Sequence, residues 1–329
     1  MRFDFEKIKE ITEGAAKVYE QDGRVLFDRF TEAENQPNQK IPAGIQLAFV
    51  TDAQEMKMKV YIPGGNPSPI FFAVDVLVGG KYVGGIQNFD EEDSKKNRLK
   101  GPYAFGEFEY KCELGEGEKE IKIFLPISSP IELCELSVEG ESFVRARENK
   151  KIFLAYGDSI THGWTSRHPS NTMAVRLAEF LGAKLYNKGI GGALFCPELP
   201  ENKVDFVPDF VTIAYGTNDW AYSKSLDISE ENCRKFCKII SEYYPEAKKF
   251  IISPVWRADL NNDSPLGEFS NVEKMIKRVS DEFDSITFIS GREMIPEDKE
   301  LYSDLELHPN DRGFDFYYNN LSKEISKYL

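Results

Sequence analysis

Between positions 55 and 62 the chain reads Glu-Met-Lys-Met-Lys-Val-Tyr-Ile, a polar–apolar alternation with the period of two that a strand buried on one face requires. Residues 120–125 and 131–136 repeat the pattern. Turn-forming groups separate such runs, among them Pro63-Gly64-Gly65-Asn66-Pro67, Gly79-Gly80, Gly84-Gly85 and Gly115-Glu116-Gly117. Short strands at this spacing predict a β-sandwich or jelly roll over residues 1–148. The opening stretch, through about Tyr19, reads as a short helix or an arm packed on that domain, and the charged residues 91–100 read as a solvated loop.

From Lys151 the texture changes. Ile152-Phe153-Leu154-Ala155-Tyr156 is continuously apolar, as a strand covered on both faces must be. Similar runs fall at 184–187, 210–215, 250–253 and 286–289, with helical patterns between them. Over residues 229–244, Cys233, Phe236, Cys237 and Ile240 keep the spacing of one helix face, with Ser229 as the expected cap. This alternation predicts a second domain over residues 149–329 of the α/β class, a doubly wound parallel sheet of the flavodoxin-like kind.

Composition narrows the function. With 41% hydrophobic residues in 329, there is material for real cores, which excludes a disordered chain. The balance of 41 Lys+Arg against 55 Asp+Glu gives a net charge of −14, which repels phosphate backbones and argues against a nucleic-acid partner. No apolar window is long enough for a transmembrane helix, so no membrane partner is expected. The N-terminal residues lack the apolar core of a signal peptide. Five scattered cysteines, an odd number, fit reduced thiols and a cytoplasmic location. Nothing in the sequence indicates an oligomeric state.

In a doubly wound sheet, ligands bind beyond the carboxyl ends of the strands, and there the polar residues gather. Gly157-Asp158-Ser159-Ile160-Thr161 follows the first apolar run, Asn187-Lys188-Gly189-Ile190-Gly191-Gly192 the second, and Gly216-Thr217-Asn218-Asp219 the third. His308-Pro309-Asn310-Asp311 lies in a long polar loop after the fifth. Four blocks in this order over residues 150–329 resemble those of the SGNH (GDSL-type) hydrolases. The β-rich segment before them, with Val74-Asp75-Val76-Leu77-Val78 and Phe124-Leu125-Pro126, is similar to the N-terminal sandwich of two-domain carbohydrate esterases in that family.

The resemblance implies a role for each block. Ester cleavage needs a nucleophile, a proton acceptor and donors aimed at the developing oxyanion. Ser159 would be the nucleophile and, through its N–H, an oxyanion donor; Gly192 would add a backbone N–H and Asn218 a side-chain amide. His308 would take the Ser159 proton and return it to the leaving alcohol. The third triad member departs from the family pattern. The position three before the histidine, where the family places aspartate, is Leu305, with Asp304 four before and Glu306 two before. Asp304 is the expected orienting acid, Glu306 the next choice, and a Ser–His dyad oriented by a backbone carbonyl a third.

Other residues carry two readings each. His162 and His168 flank the first block but have no acidic or cysteine partner at ligand spacing, so no metal is expected. Gly189-Ile190-Gly191-Gly192 lacks the full dinucleotide fingerprint and follows the wrong strand, so no cofactor is expected either. Cys233 and Cys237 read as core, and Asp158 and Asp219 as acceptors that fix their loops. Trp164, Trp220 and Trp256 either fill the tops of strands or present flat faces to a sugar or acyl group. Arg257 would hold a substrate hydroxyl or carboxylate, or a salt bridge.

The expected function is a serine esterase cleaving short acyl, chiefly O-acetyl, esters of a small molecule or oligosaccharide. A thioesterase or short-chain lipase, or a carbohydrate-binding protein with a decayed site, stands as the alternative.

Overall fold

The computed structural model describes residues 1–34, 36, 38–64, 71–90, 104–260 and 263–329. The expected loop at 91–100 and part of the turn at 63–67 lie outside the described residues. The chain separates into two compact units. The first holds Met1–Lys150 with the short segments Ser166–Asn171 and Lys184–Tyr186; the second holds Lys151–Thr165, Thr172–Ala183 and Asn187–Leu329.

In the first unit the opening stretch is a helix, Phe5–Ile11, capped by the Asp4 carboxylate, which accepts the Lys7 N–H. It runs into strands β1 (Thr12–Glu13) and β2 (Lys17–Gln21), followed by β3 (Arg24–Asp28), β4 (Gln46–Thr51), β5 (Glu55–Ile62) and β6 (Ala73–Val78). Then come β7 (Lys81–Gln87), β8 (Gly106–Glu113), β9 (Lys119–Phe124), β10 (Glu132–Val138) and β11 (Val144–Ala146). They form two antiparallel sheets, ordered β2-β3-β10-β5-β8 and β1-β4-β9-β6-β7, with β11 paired to β4. The alternation in β5 sorts its side chains as the pleat demands: Met56, Met58, Val60 and Ile62 are buried, while Lys57 and Lys59 reach Glu109 and Glu107 on β8. Both sheets contribute to one apolar core, where Phe27, Met58 and Leu136 of one meet Phe49, Val76 and Ile123 of the other.

The second unit is built on five parallel strands, β12 (Lys151–Gly157), β13 (Ala183–Gly189), β14 (Phe210–Ala214), β15 (Lys248–Ile252) and β16 (Ile286–Ile289), in the order β13-β12-β14-β15-β16. The direction of winding reverses between β12 and β14, the place where such sheets open a crevice. Burial of Phe153, Leu154, Ala155 and Tyr156 on successive positions shows that both faces of β12 are covered. Helices Leu226–Tyr243 and Ser270–Ser280 pack on each other, as do Met173–Leu181 and Asp311–Ile325. The helix expected to start at Ser229 starts a turn earlier. Ser225 is its cap, accepting the Ile228 N–H, and Ser229 is buried inside it. The exposed Ile228 broke the apolar stripe there and hid the first turn from the pattern. Among the described residues no helix is long and apolar enough to cross a membrane.

Candidate active site

β12 delivers Ser159 through a tight turn. The Asp158 carboxylate accepts the Ile160 N–H at 2.9 Å and so caps the four-residue helix Ser159–His162, which Gly163 ends in the left-handed conformation. Glycine is required at 157, because a Cβ there would lie 2.0 Å from Thr161 Oγ1 and 2.8 Å from the Ala214 carbonyl. Ser159 is largely buried, and its hydroxyl stands 2.9 Å from His308 Nε2.

The histidine sits on a hairpin. Ser303 N–H donates to the His308 carbonyl, Asn310 N–H to the Leu301 carbonyl, and Tyr302 bridges Pro309. Between the arms, Asp304 Oδ1 accepts the backbone N–H groups of Glu306, Leu307 and His308, and Oδ2 lies 2.7 Å from His308 Nδ1. Leu305 closes the loop at φ 63, a left-handed conformation unusual for a leucine. The residue that breaks the family spacing is therefore absorbed in the turn, and the aspartate four positions back still reaches the imidazole. The Glu306 side chain is exposed; its contributions are the N–H given to Asp304 and a carbonyl that accepts the Ala258 N–H. Asn310 caps the final helix by accepting the Gly313 N–H.

The donor loops come from β13 and β14. Asn187 is buried, donates to the Thr161 carbonyl and accepts the Gly189 N–H, tying its loop to the nucleophile helix. A Cβ at Gly189 would stand 2.3 Å from the His162 nitrogen. The next turn is closed by Ala193 N–H on the Ile190 carbonyl with Gly192 at φ 75, the positive angle such a turn reserves for glycine. Asn218 spends one amide N–H on the Ala193 carbonyl at 3.1 Å, which leaves the second N–H of the same amide as a donor. Asp219 accepts the Phe195 N–H and holds the far end of that loop.

Three carboxyls around the site have shifted acidity, in two directions. Burial raises Asp304, but the His308 hydrogen bond and charge and the Leu307 and Glu306 N–H groups outweigh it and hold the carboxyl well below the usual range. Burial pushes Asp158 up to about 6 against the Ile160 N–H and the His308 ring, and pushes Asp219 up to about 6 likewise. A carboxyl whose folded-state pKa is raised stabilises the fold fully below its ordinary pKa and loses that contribution as pH climbs to the raised value. For Asp158 the window runs from 3.8 to about 6 and is worth roughly 3 kcal/mol; Asp304, of opposite sign, acts only below it. Urea titrations between pH 4 and pH 7 should therefore show stability falling, and Asp158→Asn should remove about 3 kcal/mol of the fall. An equal fall in both proteins would mean that the Asp158 carboxyl is unperturbed.

Of the aromatic and basic candidates, two are engaged within the protein. Trp220 is 3% exposed, its indole N–H donates to the Gly267 carbonyl, and its ring packs edge-on against Phe269. Arg257 is 4% exposed, forked onto Asp259 and bonded to Thr217, with its guanidinium over the Trp220 ring. Both fill the top of the sheet. Proximity to a strand end misled the reading, because it does not say which way a side chain turns. Trp164 and Trp256 are half-buried, the first edge-on to His162 and the second tilted on Tyr302. His162 is buried, and His168 belongs to the first unit, where its Nδ1 lies 2.8 Å from the buried Asp75. Sequence reasoning missed Tyr302, which ties the hairpin to Trp256, and Thr165, which contacts the hairpin at Pro309; neither lies in a motif, and only its left-handed conformation marks the latter.

Chemically, a hydroxyl bonded to an imidazole whose other nitrogen faces a carboxylate can pass its proton to the ring and act as a nucleophile. Asn218 and the Gly192 turn lie on loops that meet at Ala193.

Residues 155–316 match the model of the GDSL-like lipase/acylhydrolase family. No curated protein matches the sequence. Among solved structures, the salicylyl-acyltransferase SsfX3 from a tetracycline biosynthetic pathway superimposes with a TM-score of 0.80 at 19% identity, over 96% of this chain and 94% of that one. An acetyl xylan esterase from the rumen bacterium Butyrivibrio proteoclasticus gives 0.64 at 12%, over 100% and 98%. A family two carbohydrate esterase from Clostridium thermocellum, solved with cellohexaose, gives 0.60 at 17%, over 87% and 93%. At these identities the likeness is one of fold. With the four blocks, the strand order and the matched segment together, the α/β unit of this chain belongs to the GDSL-like lipase/acylhydrolase family.

Proposed function

We propose that the protein is a serine esterase that hydrolyses short acyl esters, chiefly O-acetyl groups on carbohydrates. The observation that carries the reading is the continuous chain from Ser159 through His308 to Asp304, with 2.9 and 2.7 Å between its members. In this scheme His308 Nε2 takes the Ser159 proton as Oγ attacks the ester carbon. Asp304 holds the ring in the tautomer that leaves Nε2 free and steadies the imidazolium that forms. The Ser159 and Gly192 N–H groups and the second Asn218 N–H receive the charge on the carbonyl oxygen. His308 then protonates the departing alcohol, and water, activated by the same imidazole, releases the acid. No cofactor enters any step.

The carbohydrate class draws its support from the acetyl xylan esterase and the family two carbohydrate esterase among the structural neighbours. It also fits the N-terminal unit, whose two antiparallel sheets we read as a jelly-roll-like sandwich. Trp164 and Trp256 are the aromatic surfaces left for a sugar ring. A matched pair of chromogenic acetyl and octanoyl esters tests the acyl preference. The acetyl ester should turn over faster; preference for octanoate would replace this reading with a short-chain lipase or thioesterase. A second reading is favoured by the likeness to a salicylyl-acyltransferase over nearly the whole chain: the acyl group passes to an alcohol instead of water. Products formed with and without an added alcohol separate the two.

A further inference from the structure

Thr165 holds a left-handed backbone, φ 72, three residues after the helix that carries Ser159. For a β-branched residue that conformation is a genuine outlier, and such strain persists only where surrounding contacts over-determine it. Those contacts lead to the hairpin of Asp304 and His308. The Thr165 hydroxyl lies 2.6 Å from the Trp164 carbonyl and 3.1 Å from the carbonyl of Pro309, the residue after the base. Its one proton is shared between the two acceptors. The Ser303 hydroxyl, next to Asp304, stands 3.5 Å from the Thr165 carbonyl. One strained residue thus touches both arms of the hairpin and is joined by a short run of chain to the nucleophile.

A second clamp closes the other flank. Tyr302 is fully buried, its hydroxyl donates to the Trp256 carbonyl at 2.7 Å, and its ring tilts against Trp256 at 5.5 Å. The Ala258 N–H reaches the Glu306 carbonyl at the hairpin tip. The hairpin is therefore fixed at base and tip by the segment after β15. Thr165 holds it from the side of the helix that carries Ser159.

We infer that Thr165 is a positioning residue that sets the Ser159–His308 separation, with Tyr302 as its counterpart on the opposite flank. The inference rests on the esterase reading above. A hydroxyl-to-carbonyl strut keeps the attacking group and its base in register; misplacement by about an ångström costs on the order of 10²-fold in rate.

The test compares Thr165→Gly and Thr165→Ser with the wild-type chain on an acetyl ester, with melting temperatures alongside. Glycine relieves the backbone and removes the strut, so Thr165→Gly should stay folded, with an equal or higher melting temperature. It should lose about tenfold or more in kcat while KM stays within about twofold. Thr165→Ser restores the hydroxyl and should return kcat to within about threefold. Wild-type kcat in Thr165→Gly overturns the inference. So does a parallel change in kcat and KM with a lowered melting temperature, which marks a structural role alone, or equal losses in both variants. Ser159→Ala keeps the two claims apart: if wild-type turnover survives it, the esterase reading fails and not merely the strut.

Discussion

Ser159→Ala should lower kcat on an acetyl ester by at least roughly 10⁴, with the fold unchanged by circular dichroism. The reason lies in what remains. On the proposed mechanism, removing the hydroxyl leaves His308 no proton to accept at 2.9 Å and no acyl-enzyme, while the proposed donors of Gly192 and Asn218 would remain. Residual rate then reflects binding and charge stabilisation alone. The substitution removes one hydroxyl, hydrogen-bonded to His308, and adds no bulk, so stability should hardly move. A variant that keeps more than about a tenth of the wild-type rate would show that the turnover originates elsewhere.

The second large effect belongs to Asp304. Asp304→Asn should cost roughly 10³ to 10⁴ in kcat, because an amide opposite Nδ1 no longer selects the tautomer with Nε2 free. Glu306→Gln should stay within about twofold of the wild type, since that side chain is exposed and the hairpin uses only its backbone. Equal losses in both would mean that the turn, not the charge, had been damaged. Loss in Glu306→Gln alone would reverse the assignment. Loss from neither would favour a dyad.

Much of this was legible in the sequence, for identifiable reasons. Strand β5 followed from its alternation and β12 from five apolar residues in a row, because burial on one or two faces leaves different periods. Ser159, His308 and Asn218 stood out as polar residues just past buried strands, and their loops do meet. The orienting acid was harder. Spacing puts Asp304 ahead of Glu306 but off the family position, and only the left-handed Leu305 and the three N–H groups on Asp304 Oδ1 show how four residues make the reach. For Trp220 and Arg257 the packing and salt-bridge readings are the ones the geometry supports, because position along a chain does not fix the direction of a side chain. Packing does, and packing turned both inward. Thr165 carries no motif, and its conformation is a property of the assembled hairpin.

The contacts that pair Asp304 with His308 lie within five consecutive residues. Aspartate and imidazole therefore form a cassette held together by its own turn. A residue inserted upstream, in the stretch between β16 and the hairpin, should shift that cassette as a body and leave the Asp304–His308 pair intact.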